Sequence, residues 1–303
     1  MMERNTMYDV IIVGGSYAGL SAAMSLGRSL KKVLVIDSGL PCNRQTPYSH
    51  NMITHDGTPP AAIAAAAKKQ VQAYDTVKFY EGLAIAGKQI KDGFEIKTEA
   101  GDVFTATKLI FATGVKDIFP DIDGFSACWG ISILHCPYCH GYEVRMEETG
   151  ILANGDAAFN IARMISNWTD KLTVFTNGKQ ELLQEQVEEL EAHNIKVVEK
   201  EVAALQHKEG YLTSIQFADG STQNIKAIYA RPVNVQHCTI PEQLGCELGE
   251  DGLLLVDPMQ QTTIEGVYAC GDNANWARSV AIAIAAGVTA GTALNREMIL
   301  EAF

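Results

Sequence analysis

The chain has 303 residues, long enough for two domains because single hydrophobic cores rarely grow past ~250–300 residues. Its 36 Asp+Glu outnumber its 24 Lys+Arg, and the net charge of −12 argues against nucleic acid or an anionic membrane as a partner. The polar residues 1–7 predict no secretory signal, and no apolar stretch reaches the ~18 residues of a membrane span, so we expect a cytoplasmic protein.

The first elements predict a βαβ unit. Residues 8–13 form a nearly continuous apolar run, typical of a strand buried on both faces. A glycine-rich turn at 14–19, a helical pattern at 20–30 and a second apolar strand at 33–37 follow. Together they span about thirty residues, the length of a dinucleotide-binding βαβ unit.

Further strands and helices follow, including a second βαβ-like unit. Residues 61–74 predict an alanine-rich helix, and a period of two over 77–109 predicts a β-meander before a strand at 109–114. The elements predicted after it are strands at 150–153, 172–176, 195–198, 211–217, 225–229, 253–256 and 266–270, and helices at 157–168, 181–193 and 277–299.

The first glycine turn is a near match to the GxGxxG dinucleotide fingerprint. Gly14 permits the tight turn and Gly19 permits close packing of helix on strand, whereas Ser16 replaces the middle glycine. A serine hydroxyl can donate to phosphate, and the helix N-terminus adds free N–H groups and a positive dipole. Asp37 ends the second strand, where a carboxylate can bind ribose hydroxyls. The turn therefore predicts a dinucleotide site rather than an ordinary tight turn.

A second cofactor signal lies near the end of the chain. The predicted strand at 266–270 ends in Gly271-Asp272, which can place a carboxylate on a polyol hydroxyl of a bound cofactor. The helix that begins near Arg278 offers further N–H groups at its N-terminus. A plain βα turn is the alternative.

Cys136 and Cys139 form a CxxC motif. Two thiols at this spacing can close a disulfide and exchange it with a second dithiol, because each sulfur can attack and leave as a thiolate. His140 places a proton donor or acceptor beside that exchange, or is a structural histidine. No second CxxC or well-spaced Cys/His pair completes a zinc site, so we predict a redox pair and no metal.

These motifs, in this order, resemble the low-molecular-weight thioredoxin reductase family of FAD-dependent pyridine-nucleotide disulfide oxidoreductases. The resemblance covers nearly the whole chain and includes the strand exit at 112–114. It implies an α/β fold of two Rossmann-like, three-layer ββα domains, the second inserted into the first. The FAD-binding domain would comprise residues 1–115 and 246–303, and the inserted nucleotide-type domain, residues 116–245, would carry the CxxC. It also implies a homodimer.

The resemblance assigns roles residue by residue. Cys139 would face the flavin, Cys136 would exchange with the substrate, and His140, where the family usually has an aspartate, would act as general acid and base. The residues that would contact FAD are Gly14, Ser16, Gly19, Asp37, Asn51, Thr113, Gly114, Asp272, Arg278 and Ser279.

Two departures concern NADPH. Ala153 replaces the first glycine of the family's second nucleotide turn, and an alanine methyl would crowd a pyrophosphate. The sequence at 176–178 is Thr-Asn-Gly, where the family has His-Arg-Arg for the 2′-phosphate, and no arginine lies between Arg163 and Arg231. Without a guanidinium to bind the phosphate, NADPH should be a poor electron donor.

The electron partner and the substrate therefore stay open. The stretch at 139–143 is similar to dithiol oxidases that close disulfides in small molecules and pass electrons to oxygen. Other family members without the NADPH arginines take electrons from ferredoxin, and a non-enzymatic flavin redox sensor is a further alternative. The substrate would be a thioredoxin-like protein or a small dithiol or disulfide. Cys42 could be a third redox thiol or idle, and His50 a proton carrier.

Overall fold

The computed structural model describes residues 7–303, so the segment on which the absence of a signal is predicted lies almost wholly outside the described residues. By its internal contacts the described chain forms two units. The first unit contains the described residues up to 44, 60–116 and 234–303, and the second contains residues 45–59 and 117–233. The domain borders predicted after residues 115 and 245 stay a prediction.

The strands and helices alternate over residues 8–81 and 115–198, whereas residues 77–118 and 196–236 contain runs of strands without an intervening helix. The strands are β1 Tyr8–Val13, β2 Val33–Asp37, β3 Val77–Glu81, β4 Ala84–Ile90, β5 Gly93–Thr98, β6 Val103–Phe111, β7 Val115–Ile118, β8 Ile133–Leu134, β9 Thr149–Leu152, β10 Leu172–Phe175, β11 Lys196–Val198, β12 Val202–Lys208, β13 Tyr211–Phe217, β14 Thr222–Asn224, β15 Ala227–Ala230, β16 Val233–Gln236 and β17 Val267–Ala269. The helices are α1 Tyr17–Arg28, α2 Pro60–Val71, α3 Phe125–Cys128, α4 Pro137–His140, α5 Gly155–Ile165, α6 Gln184–Ala192, α7 Ile240–Gln243 and α8 Val280–Ala302. No helix within residues 7–303 combines the length and the apolar character needed to cross a bilayer.

The first unit is built on a seven-stranded sheet of order β3-β2-β1-β6-β5-β4, with β17 also paired to β6. Strand β1 lies between two parallel neighbours, which explains its apolar sequence. Val10 and Ile12 belong to the core on one face of the sheet, whereas Ile11 and Val13 belong to the core on the other. The sheet is therefore covered on both faces.

Helices α1 and α8 pack closely because α8 presents glycine to α1. A Cβ on Gly287 would lie 2.1 Å from the carbonyl oxygen of Ala18, and a Cβ on Gly291 would lie 2.8 Å from that of Ala22. Larger residues would push the helices apart. The contact fixes the position of α1, whose N-terminus adjoins the first glycine turn.

The second unit contains a five-stranded parallel sheet of order β11-β10-β9-β15-β8. Strand β9 comes first of the three strands β9, β10 and β15, yet lies between the other two, so the strand order reverses beside it. Such a switch point leaves a crevice at the carboxyl edge of the sheet, where ligands of α/β proteins bind. An antiparallel sheet, β12-β13-β14, completes the unit, and β7 and β16 form a separate two-stranded sheet.

The two parallel sheets and their crossover helices confirm the predicted α/β class, but two predicted elements are wrong. Residues 253–256 form isolated bridges instead of a strand, because the N–H of Leu254 bonds to Asn273 whereas that of Leu255 bonds to Glu247. Strand β3 pairs parallel with β2 and so lies outside the predicted meander, which consists of β4, β5 and β6.

Candidate active site

The turn between β1 and α1 forms a cradle that only glycine permits. Gly14 has φ +104°, and a Cβ there would lie 2.3 Å from the carbonyl oxygen of Ala112. A Cβ on Gly19 would lie 1.9 Å from the carbonyl oxygen of Gly14. Ser16 caps α1 without a side-chain hydrogen bond, and no acidic residue lies in the first turn. The positive end of the helix and the serine hydroxyl are thus available to an anionic group.

Asp37 supports the same turn from the end of β2. Its Oδ1 accepts a hydrogen bond of 3.0 Å from the N–H of Gly15, and a Cβ on Gly15 would lie 2.8 Å from the Asp37 side chain. The second carboxylate oxygen makes no hydrogen bond that fixes it to the turn. This is the position at which a carboxylate can accept from ribose hydroxyls.

The exit from β6 and the turn after β17 contribute the opposite wall of the cradle. Gly114 has φ +64°, and a Cβ there would project into open space. Asn273, fully buried, donates to the carbonyl oxygen of Phe111 at 2.9 Å and to Oγ1 of Thr113 at 3.4 Å. Its Oδ1 is buried and has no hydrogen-bond partner within the described chain. An amide oxygen of this kind is suited to accept from a ligand donor.

Asp272 and Arg278 form an ion pair at the edge of this wall. The Nε of Arg278 lies 3.3 Å from Oδ2 of Asp272, and both side chains are largely buried. The Sγ of Cys42 lies 3.8 Å from the same carboxylate oxygen. Ser279 caps α8, and its hydroxyl accepts from the N–H of Ile282 at 3.2 Å. The serine therefore already has a structural task.

Nine of the ten residues predicted to contact FAD lie in the first unit, around the carboxyl ends of its parallel strands; Asn51 belongs to the second unit. Asn51 has φ +58°, and its N–H donates to Oδ1 of Asp56 at 2.8 Å. The glycine cradle, the unencumbered helix N-terminus, Asp37 and the orphaned oxygen of Asn273 fit a dinucleotide such as FAD. Sequence reasoning missed Asn273, although it directly follows the Gly-Asp motif.

In the second unit Cys136 and Cys139 form a disulfide with a Cα–Cα distance of 5.3 Å. Cys139 lies in the one-turn helix α4, which begins at Pro137, a residue whose fixed φ suits the first helical position. Cys136 caps this helix, and its Sγ accepts from the N–H of Cys139 at 3.2 Å. A hydrogen bond from that N–H stabilises negative charge on the Cys136 sulfur once the disulfide opens.

His140, the last residue of α4, is neutral at physiological pH. Burial, together with the nearby charge of His50, lowers its pKa from the ordinary 6.5 to about 4. The two rings meet edge-on, with centroids 6.3 Å apart. The Nδ1 of His50 lies 3.7 Å from Oδ1 of Asp56, and its Nε2 lies 3.6 Å from Oε1 of Glu143. Sequence reasoning missed both carboxylates, because only the fold brings the loop that carries His50 and Asp56 to Glu143.

Two exposed tyrosines lie within and just after the CxxC motif. Tyr138 lies between the two cysteines and meets Trp168 edge-on at a centroid distance of 5.6 Å. Tyr142 is as exposed as Tyr138, and the guanidinium of Arg145 lies 3.9 Å from the centre of its ring. These rings offer apolar contact area to a substrate beside the disulfide.

The nucleotide turn of the second unit is closed by its own hydrogen bonds. Asn154 caps α5, and its Oδ1 accepts from the N–H groups of Gly155 and Glu181, each at 2.9 Å. The hydroxyl of Thr176 donates to the carbonyl oxygen of Gly178 at 2.6 Å, and Oδ1 of Asn177 accepts from the N–H of Val202 at 2.7 Å. The polar side chains around this turn are therefore already engaged.

A cavity of ≈ 380 Å³ lies at the same edge of the sheet, and most of its lining is apolar. Ala153, Asn154, Thr176 and Asn177 border it, and Arg231 is its only charged lining residue within the described chain. One guanidinium on a mostly apolar wall offers little to a 2′-phosphate and a pyrophosphate together.

The remaining cysteines divide by exposure. Burial raises the pKa of the Cys270 thiol to about 12 and that of Cys238 to about 11, and it also raises the pKa values of Cys128 and Cys246. These four thiols are therefore unreactive at neutral pH. Cys42 is exposed. No cluster of three or more His, Cys, Asp or Glu side chains suited to a metal ion occurs between residues 7 and 303.

Known proteins show similar sequences and folds. Residues 8–287 match the family described as pyridine nucleotide-disulphide oxidoreductase. A thioredoxin reductase of Claviceps purpurea is 35% identical over 99% of this chain and 97% of its own, and one of Leptosphaeria maculans is 31% identical over 96% and 94%. The crystal structure of an oxidoreductase from Agrobacterium tumefaciens, 37% identical, superposes with a TM-score of 0.91 over 97% of this chain and 99% of that one.

Proposed function

Since this chain belongs to the pyridine nucleotide-disulphide oxidoreductase family, we propose that its Cys136–Cys139 pair exchanges electrons with a substrate dithiol or disulfide and that NADPH serves it poorly. The family resemblance seen in the sequence is confirmed: the protein is a thioredoxin reductase-like, FAD-dependent disulfide oxidoreductase with two Rossmann-like domains. The disulfide with a neutral histidine beside it is the observation that supports the proposed exchange.

FAD, when bound, supplies a two-electron carrier. In the first unit the N-terminus of α1, with Gly14 and Ser16, would hold the pyrophosphate, and Asp37 would accept from the ribose. Asp272 and the buried oxygen of Asn273 would hold the remaining polar groups. Cys139 would be the cysteine that exchanges electrons with the flavin, as the family resemblance implies.

The exchange itself needs only the two cysteines and the substrate. A substrate thiolate attacks Sγ of Cys136, a bond forms between these sulfurs, and the Cys136–Cys139 bond breaks, releasing Cys139 as a thiolate. The second substrate thiol, once deprotonated, attacks the mixed disulfide and releases Cys136, which the N–H of Cys139 stabilises. The substrate loses two electrons and two protons, and the enzyme disulfide gains the electrons. With a substrate disulfide the same steps run in reverse.

His140 handles the protons of this exchange. Its lowered pKa keeps the ring unprotonated at neutral pH, so a ring nitrogen is free to take the proton of a substrate thiol as that thiol attacks. In the reverse direction the same ring returns a proton to the departing sulfur. His140 lies next to Cys139 in the same short helix, so the base and the disulfide move as one body.

The nucleotide turn of the second unit supports the proposal that NADPH binds weakly. Ala153 stands at the tight turn, the polar side chains are engaged with the backbone, and Arg231 alone carries charge in the cavity lining that the structure describes. A phosphate monoester gains most from bidentate guanidinium contacts, and this wall offers none in the loop after β10. NADH, ferredoxin or oxygen would then be the electron partner.

The relatives named thioredoxin reductases favour a thioredoxin-like protein as the substrate. The exposed rings of Tyr138 and Tyr142 favour a second candidate, oxidation of a small apolar dithiol with oxygen as the electron acceptor. We also propose that the enzyme is a cytoplasmic homodimer.

A donor and acceptor screen of the purified yellow protein tests these proposals. Flavin absorbance would be followed after anaerobic mixing with NADPH, NADH, reduced ferredoxin, reduced thioredoxin or dithiothreitol, and peroxide would be measured in air. We expect dithiothreitol to bleach the flavin and the Cys136→Ser variant to keep its flavin yet lose turnover. Normal turnover by that variant would refute the proposed exchange, rapid bleaching by micromolar NADPH would refute the weak NADPH site, and no response to any donor would favour a sensor.

A further inference from the structure

His50 lies between two carboxylates and next to His140. Asp56 faces its Nδ1 at 3.7 Å, Glu143 faces its Nε2 at 3.6 Å, and the ring of His140 meets it edge-on at a centroid distance of 6.3 Å. The cluster draws on residues 45–59 and on the segment that follows the CxxC, both parts of the second unit. A histidine with groups on three sides can pass protons between them.

The loop that carries His50 is held by its own hydrogen bonds. The N–H of Ser49 donates to the carbonyl oxygen of Thr58, and the N–H of Gly57 donates to that of Ser49, each at 2.9 Å. Asp56 accepts from the N–H of Asn51 at 2.8 Å, so this carboxylate is fixed before it meets His50. The loop therefore places the Asp56 carboxylate beside the His50 ring in the absence of a substrate.

The two carboxylates of the cluster are more exposed than His50. The His50 side chain is 18% exposed and that of Glu143 is 39% exposed, so Glu143 connects the cluster to solvent. Asp56 is 68% exposed but lies on the side of His50 fixed by the loop. Tyr229 also faces Glu143; its hydroxyl is buried, and burial and the Glu143 charge together raise its pKa, so it carries no charge at neutral pH.

We propose that His50 is the positioning and relay residue for His140, passing the proton that His140 takes from a substrate thiol to Glu143 and so to solvent. One proton travels for each substrate thiol that is deprotonated: from sulfur to His140, then through His50 to the Glu143 carboxylate, and then to water. A water molecule can bridge rings at this separation. The inference rests on the proposed dithiol exchange.

The relay has a physical reason in the environment of His140. A ring with a pKa of about 4 gives up an acquired proton readily, yet its surroundings are largely shielded from bulk water. A nearby acceptor that is itself connected to an exposed carboxylate provides that exit. Once His50 has taken the proton, its positive charge disfavours the return of that proton to His140.

The test measures how fast dithiothreitol opens the Cys136–Cys139 disulfide in the whole, flavin-loaded protein without oxygen, with alkylation and mass spectrometry as readout. We expect His50→Ala and His50→Gln to slow the reaction roughly tenfold or more, and Glu143→Gln to slow it less. The acidic limb of the rate profile should move to higher pH in His50→Gln, and added imidazole should restore His50→Ala. His193→Gln, an exposed histidine on the carboxyl end of α6, is the matched control.

A second readout is independent of turnover. The His140 ring, titrated by NMR, should show a higher pKa in His50→Gln than in the parent protein, since one of the two causes of its lowering is removed. Rates and titrations of His50→Gln and Glu143→Gln that match those of His193→Gln would overturn the relay. If dithiothreitol fails to open the disulfide in the parent protein, or if Cys136→Ser turns over normally, the proposed exchange itself is wrong. Should His50→Gln fail to fold, Glu143→Gln still decides, because Glu143 is half-exposed.

Discussion

The two nucleotide-type turns of this molecule share one architecture and differ in what their polar groups already bind. In the first unit Ser16 caps α1 without a side-chain hydrogen bond, so its hydroxyl and the first-turn N–H groups remain available to a ligand. In the second unit Asn154 begins α5, and its amide holds the N–H groups of Gly155 and Glu181. A strand, a tight turn and a helix are therefore not sufficient for a cofactor site. The hydrogen-bond donors of the turn must also be free of partners within the protein.

The same contrast extends to the ends of the neighbouring strands. Asp37 ends β2 with one oxygen on the turn and one left for a ligand. The hydroxyl of Thr176, just after β10, already donates to the carbonyl oxygens of Gly178 and Val198. One unit has kept a cradle that fits FAD, whereas in the other the side chains seal the loop.

A methyl group in the first turn should weaken flavin binding, whereas one in the second should leave it unchanged. A Cβ on Gly14 would lie 2.3 Å from the carbonyl oxygen of Ala112, so Gly14→Ala must shift the cradle and weaken FAD binding by about tenfold or more. A Cβ on Gly155 would lie 3.8 Å from Glu181, so Gly155→Ala costs only its left-handed conformation, roughly 1–2 kcal/mol. Flavin absorbance per chain checks both; equal flavin loss would contradict the contrast.

The position of α8, the helix that packs against α1, can be tested at the ion pairs that join it to β6. Lys108, buried in β6, binds Glu297 at 2.6 Å and Glu301 at 2.5 Å, and both carboxylates belong to α8. Burial alone would lower the pKa of Lys108, but the two carboxylates outweigh it and raise that pKa. Lys108→Met leaves these carboxylates without their partner, and we expect a loss of about 3 kcal/mol in the free energy of unfolding.

Urea unfolding followed by circular dichroism measures that loss. Lys88→Met is the matched control, because Lys88 pairs with Glu95 at 2.9 Å from an exposed position. A surface pair contributes about 0–1 kcal/mol, so this variant should stay close to the parent protein. If both variants lose the same stability, the buried cluster does not hold α8 in place.

Sequence reasoning found the first turn because all its signals are local. The continuous apolar run of β1, the glycines and Asp37 lie within about thirty residues, the span of one βαβ unit. Sequence reasoning did not find the contacts of Asp56 and Glu143 with His50. A charged residue on a loop or beside a short helix has no periodic pattern from which its partner can be predicted. The false strand at 253–256 arose because buried leucines imitate a strand pattern whether or not a ladder forms.

Acid should affect the second unit through His140. The pKa of its ring in the folded protein, about 4, lies below the ordinary 6.5, so the unfolded chain takes up the proton first as the pH falls. The stabilisation is complete above about pH 6.5 and is lost progressively toward pH 4, by about 2 kcal/mol once solvent screening is allowed for. Thermal unfolding across this range measures it. His140→Gln should flatten the decline, whereas His193→Gln should leave it; identical slopes would contradict the burial effect.

The smallest effect is the most direct test of the contrast between the turns, because it restores a lost contact instead of removing one. Ala153→Gly relieves the turn, and Asn177→Arg places a guanidinium in the loop after β10, beside the cavity. We expect the double variant to bind NADPH about tenfold more tightly, with a stability loss of about 1 kcal/mol from the broken hydrogen bond to Val202. Calorimetry with NADPH and NADH separates the causes, since only NADPH carries the 2′-phosphate that the arginine would bind.

Asn167→Arg, which adds the same charge at an exposed position, controls for general attraction of an anion. A gain shared by both nucleotides would assign the weakness to the Ala153 methyl, and no gain at all would mean that the hydrogen bonds of Asn154 close the turn by themselves.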